Sequence, residues 1–304
     1  MSSKLREANK AYYSSKGKKI YSDFSTFAQG KALAKCNAVE YARSYAKRTG
    51  AQIVCEYGIG KGDFAKNFLD ELERLDKRLY ARTRYYLFDF SEKMLEDARK
   101  NLGSHAANCI FGKFDAAAEA PFLQFDYCRI NELLTDLPTE FYSRIGAEVL
   151  DSKGEKPPAV PLFTSKFLER IDEGRMMPFN FSAEKFLLSL CKCGKPNFRV
   201  DLFDYGFYSA DDVLGMPIGE WNRLMVRDYG GQLTVDLNFP QMLFALSSAG
   251  FDAKAEPQKA YAERVLGMPL ELFEGKAGLD YVKAKKADTD IIEDDGFYHL
   301  RIGR

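Results

Sequence analysis

The residues best placed to do chemistry cluster in Glu56-Tyr57-Gly58-Ile59-Gly60-Lys61-Gly62-Asp63, where three glycines alternate between two acids. Glycine permits left-handed backbone torsions and lets a ligand approach the main chain closely. A helix that opens just after such a turn offers free N–H groups and the positive end of its dipole. A dinucleotide fingerprint would read G-x-G-x-x-G. Counted from Gly58, its third glycine falls on Asp63, whose charge repels a pyrophosphate; counted from Gly60, it falls on Ala65. No phosphate loop ending in Gly-Lys-Ser/Thr is present either. Nucleotide phosphates therefore fit this turn poorly.

The surrounding elements must hold the turn in place. Residues 51–57 form a short apolar run of strand length. After the turn, Asp63 can cap a helix with Phe64, Phe68, Leu69, Leu72 and Leu75 on one face. Residues 85–89 read as a second strand, and Ser91 with Glu92 opens a helix carrying Met94, Leu95, Ala98 and Leu102. Further strands are predicted at 108–111, 125–130, 198–203 and 296–302. Strand alternating with helix implies an α/β fold, a mostly parallel sheet with helices on both faces. Such sheets bind ligands beyond the carboxyl ends of their strands. Acids stand at three of those ends: Glu56, Asp89 (27 residues past Gly62) and Asp115. They fit a ligand with a carboxylate, a cation and an adenosine but no phosphate, the description of S-adenosyl-L-methionine (SAM). Glu56, Gly58, Gly60, Gly62 and Asp63 would surround its methionine end. Asp89 would bind the ribose hydroxyls, Phe90 would cover the adenine, and Asp115 would accept from the adenine amine.

Composition narrows the partners. Lys plus Arg and Asp plus Glu both number 44 in 304 residues, a formal net charge of zero. A protein built to grip nucleic acid or an anionic membrane normally carries a positive excess. No run approaches the roughly 18 apolar residues of a spanning helix. Neither a nucleic acid nor a membrane is expected as a partner. Two histidines, and Cys191 and Cys193 without a second cysteine pair, give no basis for a metal site. The basic N-terminus is not followed by an apolar core, so a solvated first helix is expected rather than a secretory signal. Six scattered cysteines do not make a disulfide framework and point to the cytoplasm.

About 70 residues separate the fourth and fifth strands, and they include the polar break at 151–158. Residues 1–130 then read as N-terminal helices plus the first half of the core. Residues 131–197 read as an inserted, mainly helical substrate lobe with helices at 163–171 and 182–190. Residues 198–304 supply the second half, with a further insertion near 207–240. The charged stretch 283–295 reads as a surface loop.

Several segments resemble, in order, the MidA-type SAM-dependent methyltransferases, a family that includes the mitochondrial factor methylating an arginine during complex I assembly. Tyr12-Tyr13-Ser14 and Asp23-Phe24-Ser25-Thr26 are similar to its YYS…GDFxT segment, and residues 56–62 to its ExGxGxG turn. Residues 131–138 (NELLTDLP) are similar to its NE-x-x-DAxP, and Asp204-Tyr205-Gly206 matches a DYG. Residues 233–239 and 258–267 look like its LTAxVDF and TQ…LG segments. The resemblance implies a class I methyltransferase fold, Rossmann-like, with SAM as cofactor. It implies methyl transfer to a protein side chain, an arginine nitrogen favoured. Alternatives are a small-molecule N- or O-methyltransferase and a SAM-binding assembly factor without catalysis. Glu132 would orient the acceptor nitrogen, Asn131 would contact the methionine end or the substrate, and Asp204 is a second catalytic candidate. One departure stands out: the family's acid at the fifth position of NE-x-x-D is Thr135 here, and the acid is Asp136. On an α-helix one residue is about 100° of rotation, so Asp136 is not expected to substitute. The mouth of the site is expected near Trp221, Arg223, Arg227 and Tyr229.

Overall fold

The computed structural model describes residues 2–15, 24–276, 278–285, 291–293 and 296–304. Asp23, the Arg223 side chain and residues 286–290 and 294–295 of the charged stretch fall outside that description. The chain opens with α1 (Ser2–Ser15) and α2 (Ala32–Tyr45), then enters the core at β1 (Gln52–Tyr57). Helices α3 (Asp63–Leu75) and α4 (Lys77–Arg82) lead to β2 (Thr83–Asp89). Helix α5 (Glu92–Asn101) leads to β3 (Cys109–Lys113), and β4 (Phe125–Asn131) follows. The first insertion holds β5 (Glu140–Ile145), β6 (Glu148–Asp151), α6 (Leu162–Leu168) and β7 (Met177–Phe179). Helix α7 (Phe181–Lys192) returns to the core at β8 (Gly194–Phe207). The second insertion holds α8 (Ala210–Leu214), α9 (Ile218–Leu224) and a hairpin of β9 (Val226–Tyr229) with β10 (Gln232–Val235). Then come β11 (Leu237–Asn238), α10 (Phe239–Ser248), β12 (Asp252–Pro257) and α11 (Gln258–Leu266). The last strands are β13 (Leu270–Gly275), β14 (Gly278–Lys283), β15 (Ile291–Ile292) and β16 (Phe297–Gly303).

The central sheet runs β3-β2-β1-β4-β8-β16-β12. All neighbours are parallel except β16, which is antiparallel to both β8 and β12. The strand order reverses between β1 and β4, and the crevice beyond their carboxyl ends is where such a sheet takes a ligand. Leu33 and Tyr41 of α2, Phe68 and Leu69 of α3 and Tyr261 of α11 pack in one apolar cluster. Phe186, Leu187 and Leu190 of α7 and Met242 and Leu246 of α10 pack in another with Val200 and Leu202 of β8. The expected α/β sheet with helices on both faces is the fold of the chain.

Three expectations change. The first insertion is less helical than expected: β6-β5-β7 form a three-stranded antiparallel sheet. Helix α7, expected within that lobe, belongs to the core, because its apolar face closes over β4 and β8. And α1 is not simply solvated: Leu5 and Tyr12 are buried, and its polar residues reach into the site described next.

Candidate functional site

A cavity of about 360 Å³ lies over the carboxyl ends of β1, β2 and β4, within the ~300–1,000 Å³ of small-molecule sites. Gly58, Gly60 and Gly62 all take left-handed φ values, +72, +53 and +73, which explains the glycine spacing. A Cβ on Gly58 would come 3.0 Å from Leu133 Cδ1 across the cavity wall. One on Gly62 would come 2.9 Å from Leu102 Cδ1. Gly62 therefore serves the packing of α3 on α5 and lies outside the wall. Asp63 is likewise outside it and accepts from Asn101 Nδ2 at 2.8 Å.

Gly58, Gly60, Glu56, Asp89, Phe90, Asp115 and Asn131 all line the cavity. Asp89 accepts from the Gly60 N–H at 3.0 Å and the Ser91 N–H at 2.9 Å. Burial pushes its carboxyl up to about 6, against those two donors. Glu56 is already occupied: Arg129 Nη2 meets Oε1 at 2.5 Å, and the Tyr85 hydroxyl donates to Oε2 at 2.5 Å. Its carboxylate answers a buried arginine on the next strand, which leaves it less free for a ligand cation than the sequence implied. Asp115 receives Arg6 at 3.0 Å and Lys10 at 2.8 Å, both from α1. Burial raises its carboxyl, but Lys10 and Arg6 outweigh that and hold it below the usual range.

The other end of the cavity is built by the chain leaving β4. Glu132 has φ +47, rare for a residue with a side chain. The conformation is held by its own carboxylate, whose Oε1 accepts from Thr26 Oγ1 (2.9 Å), the Phe27 N–H (3.0 Å) and Asn131 Nδ2 (3.1 Å). Burial raises the Glu132 carboxyl against these three donors. Asn131 Oδ1 is buried with no hydrogen-bond partner among the described residues. Asp204 does not line the cavity. It lies beneath the turn that follows β4, accepting from the Leu134 N–H at 2.9 Å and the Thr135 hydroxyl at 2.9 Å. The structure thus gives Asp204 a positioning place instead of the expected contact with reacting atoms.

Two features differ from what the sequence led one to expect. Asp136 does line the cavity, with the Tyr13 hydroxyl donating at 2.9 Å and Gln232 Nε2 at 2.9 Å. Leu134–Asp136 is a 3-10 turn and not an α-helix, and with the Thr135 hydroxyl drawn to Asp204 the acid one place later faces the cavity. Helix α1 also spans the cavity, from Asp115 at one end to Asp136 at the other, and Tyr13 meets Phe90 edge-on at 5.8 Å. Of the residues expected at the mouth, Arg227 and Tyr229 line the cavity. Trp221 packs on Phe207 in the lobe and donates to the Met176 carbonyl.

Residues 33–156 match the model of a family described as "Putative S-adenosyl-L-methionine-dependent methyltransferase". That segment holds the glycine turn, Asp89, Asp115, Asn131, Glu132 and Asp136. No curated protein matches the chain. A superfamily member from Burkholderia thailandensis bound to S-adenosyl-homocysteine (SAH) has a similar structure, with TM-score 0.66 and 18% identity over 100% of this chain and 87% of that one. A native structure of the same superfamily from that organism gives TM-score 0.62 and 17% identity over 99% and 86%. No helix of the described residues is long and apolar enough to cross a membrane. By sequence over residues 33–156, and by fold along its whole length, the chain is similar to SAM-dependent methyltransferases.

Proposed function

We propose that this protein binds SAM in the cavity and transfers its methyl group to a nitrogen of a cationic side chain, an arginine on a protein substrate being favoured. The observation that carries the reading is that one cavity joins the glycine turn and Asp89 to the strained Glu132. The residues fit the cofactor. Gly58 and Gly60 leave backbone room for the methionine carboxylate, and Asn131 Oδ1 is a buried acceptor for its ammonium. Asp89, fixed by two main-chain donors, would take the ribose hydroxyls. Phe90 would flank the adenine, and Asp115 would take its amine alongside Arg6 and Lys10. When bound, SAM supplies an electrophilic methyl on a sulfonium. Glu132 would align the acceptor nitrogen and balance its charge, because proximity and alignment are what such a displacement chiefly needs. Glu56, Gly62 and Asp63 would act through their neighbours, and Asp204 through the turn it holds.

The MidA-type motifs support the arginine acceptor. One observation favours a small-molecule N- or O-acceptor instead: α1 lies across the cavity and narrows access. A SAM-binding factor without catalysis is the least supported, since the cavity keeps its acids despite Thr135. Six free cysteines support a reducing compartment, the cytoplasm. Calorimetry with SAM and SAH tests the cofactor, and an absence of heat for both overturns the reading. Labelled SAM with a lysate of the source cells tests the acceptor. Label in protein is the expected result, and label confined to low mass transfers the proposal to a small molecule.

A further inference from the structure

We infer that Asp136 is the second carboxyl of the acceptor site, and that the Thr135–Asp204 pair is what turns it into the cavity. This rests on the SAM-dependent reading above. The turn Leu134–Asp136 is pinned at its start to β8 through the Leu134 N–H and the Thr135 hydroxyl, both donating to Asp204. Thr135 is 1% exposed, so its side chain is committed to the interior. Three residues per turn separate successive side chains by about 120°. With Thr135 anchored inward, Asp136 is rotated about 120° away from it and lines the cavity. There the Tyr13 hydroxyl of α1 and Gln232 Nε2 of β10 clamp its two oxygens. An aspartate at 135 in this turn would instead set its carboxyl against that of Asp204. The hydroxyl at 135 donates to Asp204, and the acid at 136 keeps a carboxyl in the cavity.

The charged groups around Asp136 are Glu132 after β4 and Asp204 on β8, both acids; Arg227 of β9 is paired with Asp236 at 2.8 Å. Asp136 has no ion pair among the described residues. Burial first, then Asp204 and Glu132, push its carboxyl up to about 8. An arriving cation would supply the missing charge and release that proton. As the acceptor nitrogen forms its bond to the methyl carbon, the C–S bonding pair stays with sulfur. The surplus proton on nitrogen passes to the Asp136 carboxylate.

The test uses the full chain saturated with SAH, methylguanidinium chloride as probe and N-methylurea as its neutral isostere. Calorimetry should show the wild type binding methylguanidinium and not N-methylurea. Asp136→Asn should weaken that binding about tenfold or more, with SAH affinity within about twofold. Thr135→Val should do the same and Thr135→Ser should not, which separates a positioning hydroxyl from mere bulk. Carbon-13 NMR of labelled aspartate gives a readout independent of binding. The resonance missing from Asp136→Asn should titrate well above the usual carboxylate range in the wild type and move down when methylguanidinium is added. Wild type that binds SAH but not methylguanidinium overturns this inference alone, as do variants that bind the probe like wild type. Wild type that binds no SAH overturns the cofactor reading and this inference with it.

Discussion

Strand β8 carries two fully buried acids three residues apart, and the protein sets them in opposite ways. Asp201 meets Arg199 at 2.8 Å, His299 Nε2 at 2.9 Å and the Tyr127 hydroxyl at 2.7 Å. Burial favours its neutral form, yet Arg199 and His299 outweigh it and hold the carboxyl far below the usual range. Asp204 has hydrogen-bond donors but no ion pair among the described residues, and burial pushes it up to about 7. Glu132 and Asp136 share that condition. Asp201 and Asp204 are equally buried, so burial does not decide the charge; the partner does. Asp201 belongs to a scaffold that balances its charges internally. The cavity end gives Glu132, Asp136 and Asp204 no ion pair among the described residues.

The largest effect should come from breaking the scaffold side of this contrast. Asp201→Ala takes the fully buried acid from Arg199 and His299 and leaves them the less buried Glu40 and Glu256, and removing one partner of a buried pair costs about 3–5 kcal/mol. Chemical denaturation should show it, and a loss below about 1 kcal/mol would erase the distinction between the two regions. Glu132→Gln should behave oppositely. The amide oxygen still accepts from Thr26, Phe27 and Asn131, so stability should hold or rise. Methyl transfer from labelled SAM should fall about 10²-fold with SAH binding kept. A variant that transfers at the wild-type rate removes Glu132 from the acceptor site.

The two regions were unequally legible in the sequence. The glycine turn, Asp89 and Phe90 could be read because their chemistry is local, set by strand ends and fixed spacing along the chain. The Asp201 network could not, since it joins β4, β8 and β16 across 74 and 98 residues. Asp136 was visible, but its place in the cavity wall was not, because the 3-10 turn that carries it is pinned by Asp204, 68 residues away. Helix α1 looked like a solvated basic segment for a similar reason. Its cations answer Asp115, which no periodicity within α1 reveals. The strands β5 and β7 were missed because they find their partners only within the lobe.

A pH series sharpens the contrast at a smaller scale. Asp136, Asp204 and Asp89 are raised to about 8, 7 and 6. A raised acid binds more protons folded than unfolded, so its contribution is complete below its ordinary range, declines as pH rises, and is gone above the raised value. Asp201 and Glu256 are lowered, and their contributions are lost as pH falls. Thermal stability of the protein without ligand should therefore decline between about pH 5 and 8. Asp136→Asn should flatten that decline while leaving the acid limb unchanged. A decline of equal slope in the variant would place the titrating group elsewhere.

The smallest effect should come from the one cavity acid whose cations are supplied from outside the sheet. Asp115 is paired with Arg6 and Lys10, whose side chains are 38% and 46% exposed. Water and salt screen such pairs, and exposed ion pairs contribute about 0–1 kcal/mol. Arg6→Ala with Lys10→Ala should barely move the unfolding midpoint. Helix α1 would still be held by Leu5, Tyr12 and the Tyr13 bond to Asp136. Its grip near Phe90 would loosen, so SAH should bind a few-fold more weakly, and the wild type should approach the variant at high salt. A loss beyond about tenfold that persists at high salt would mean that Arg6 and Lys10 contact the ligand themselves and do not merely hold α1. The cavity would then draw some of its charge balance from within the protein, as Asp201 does.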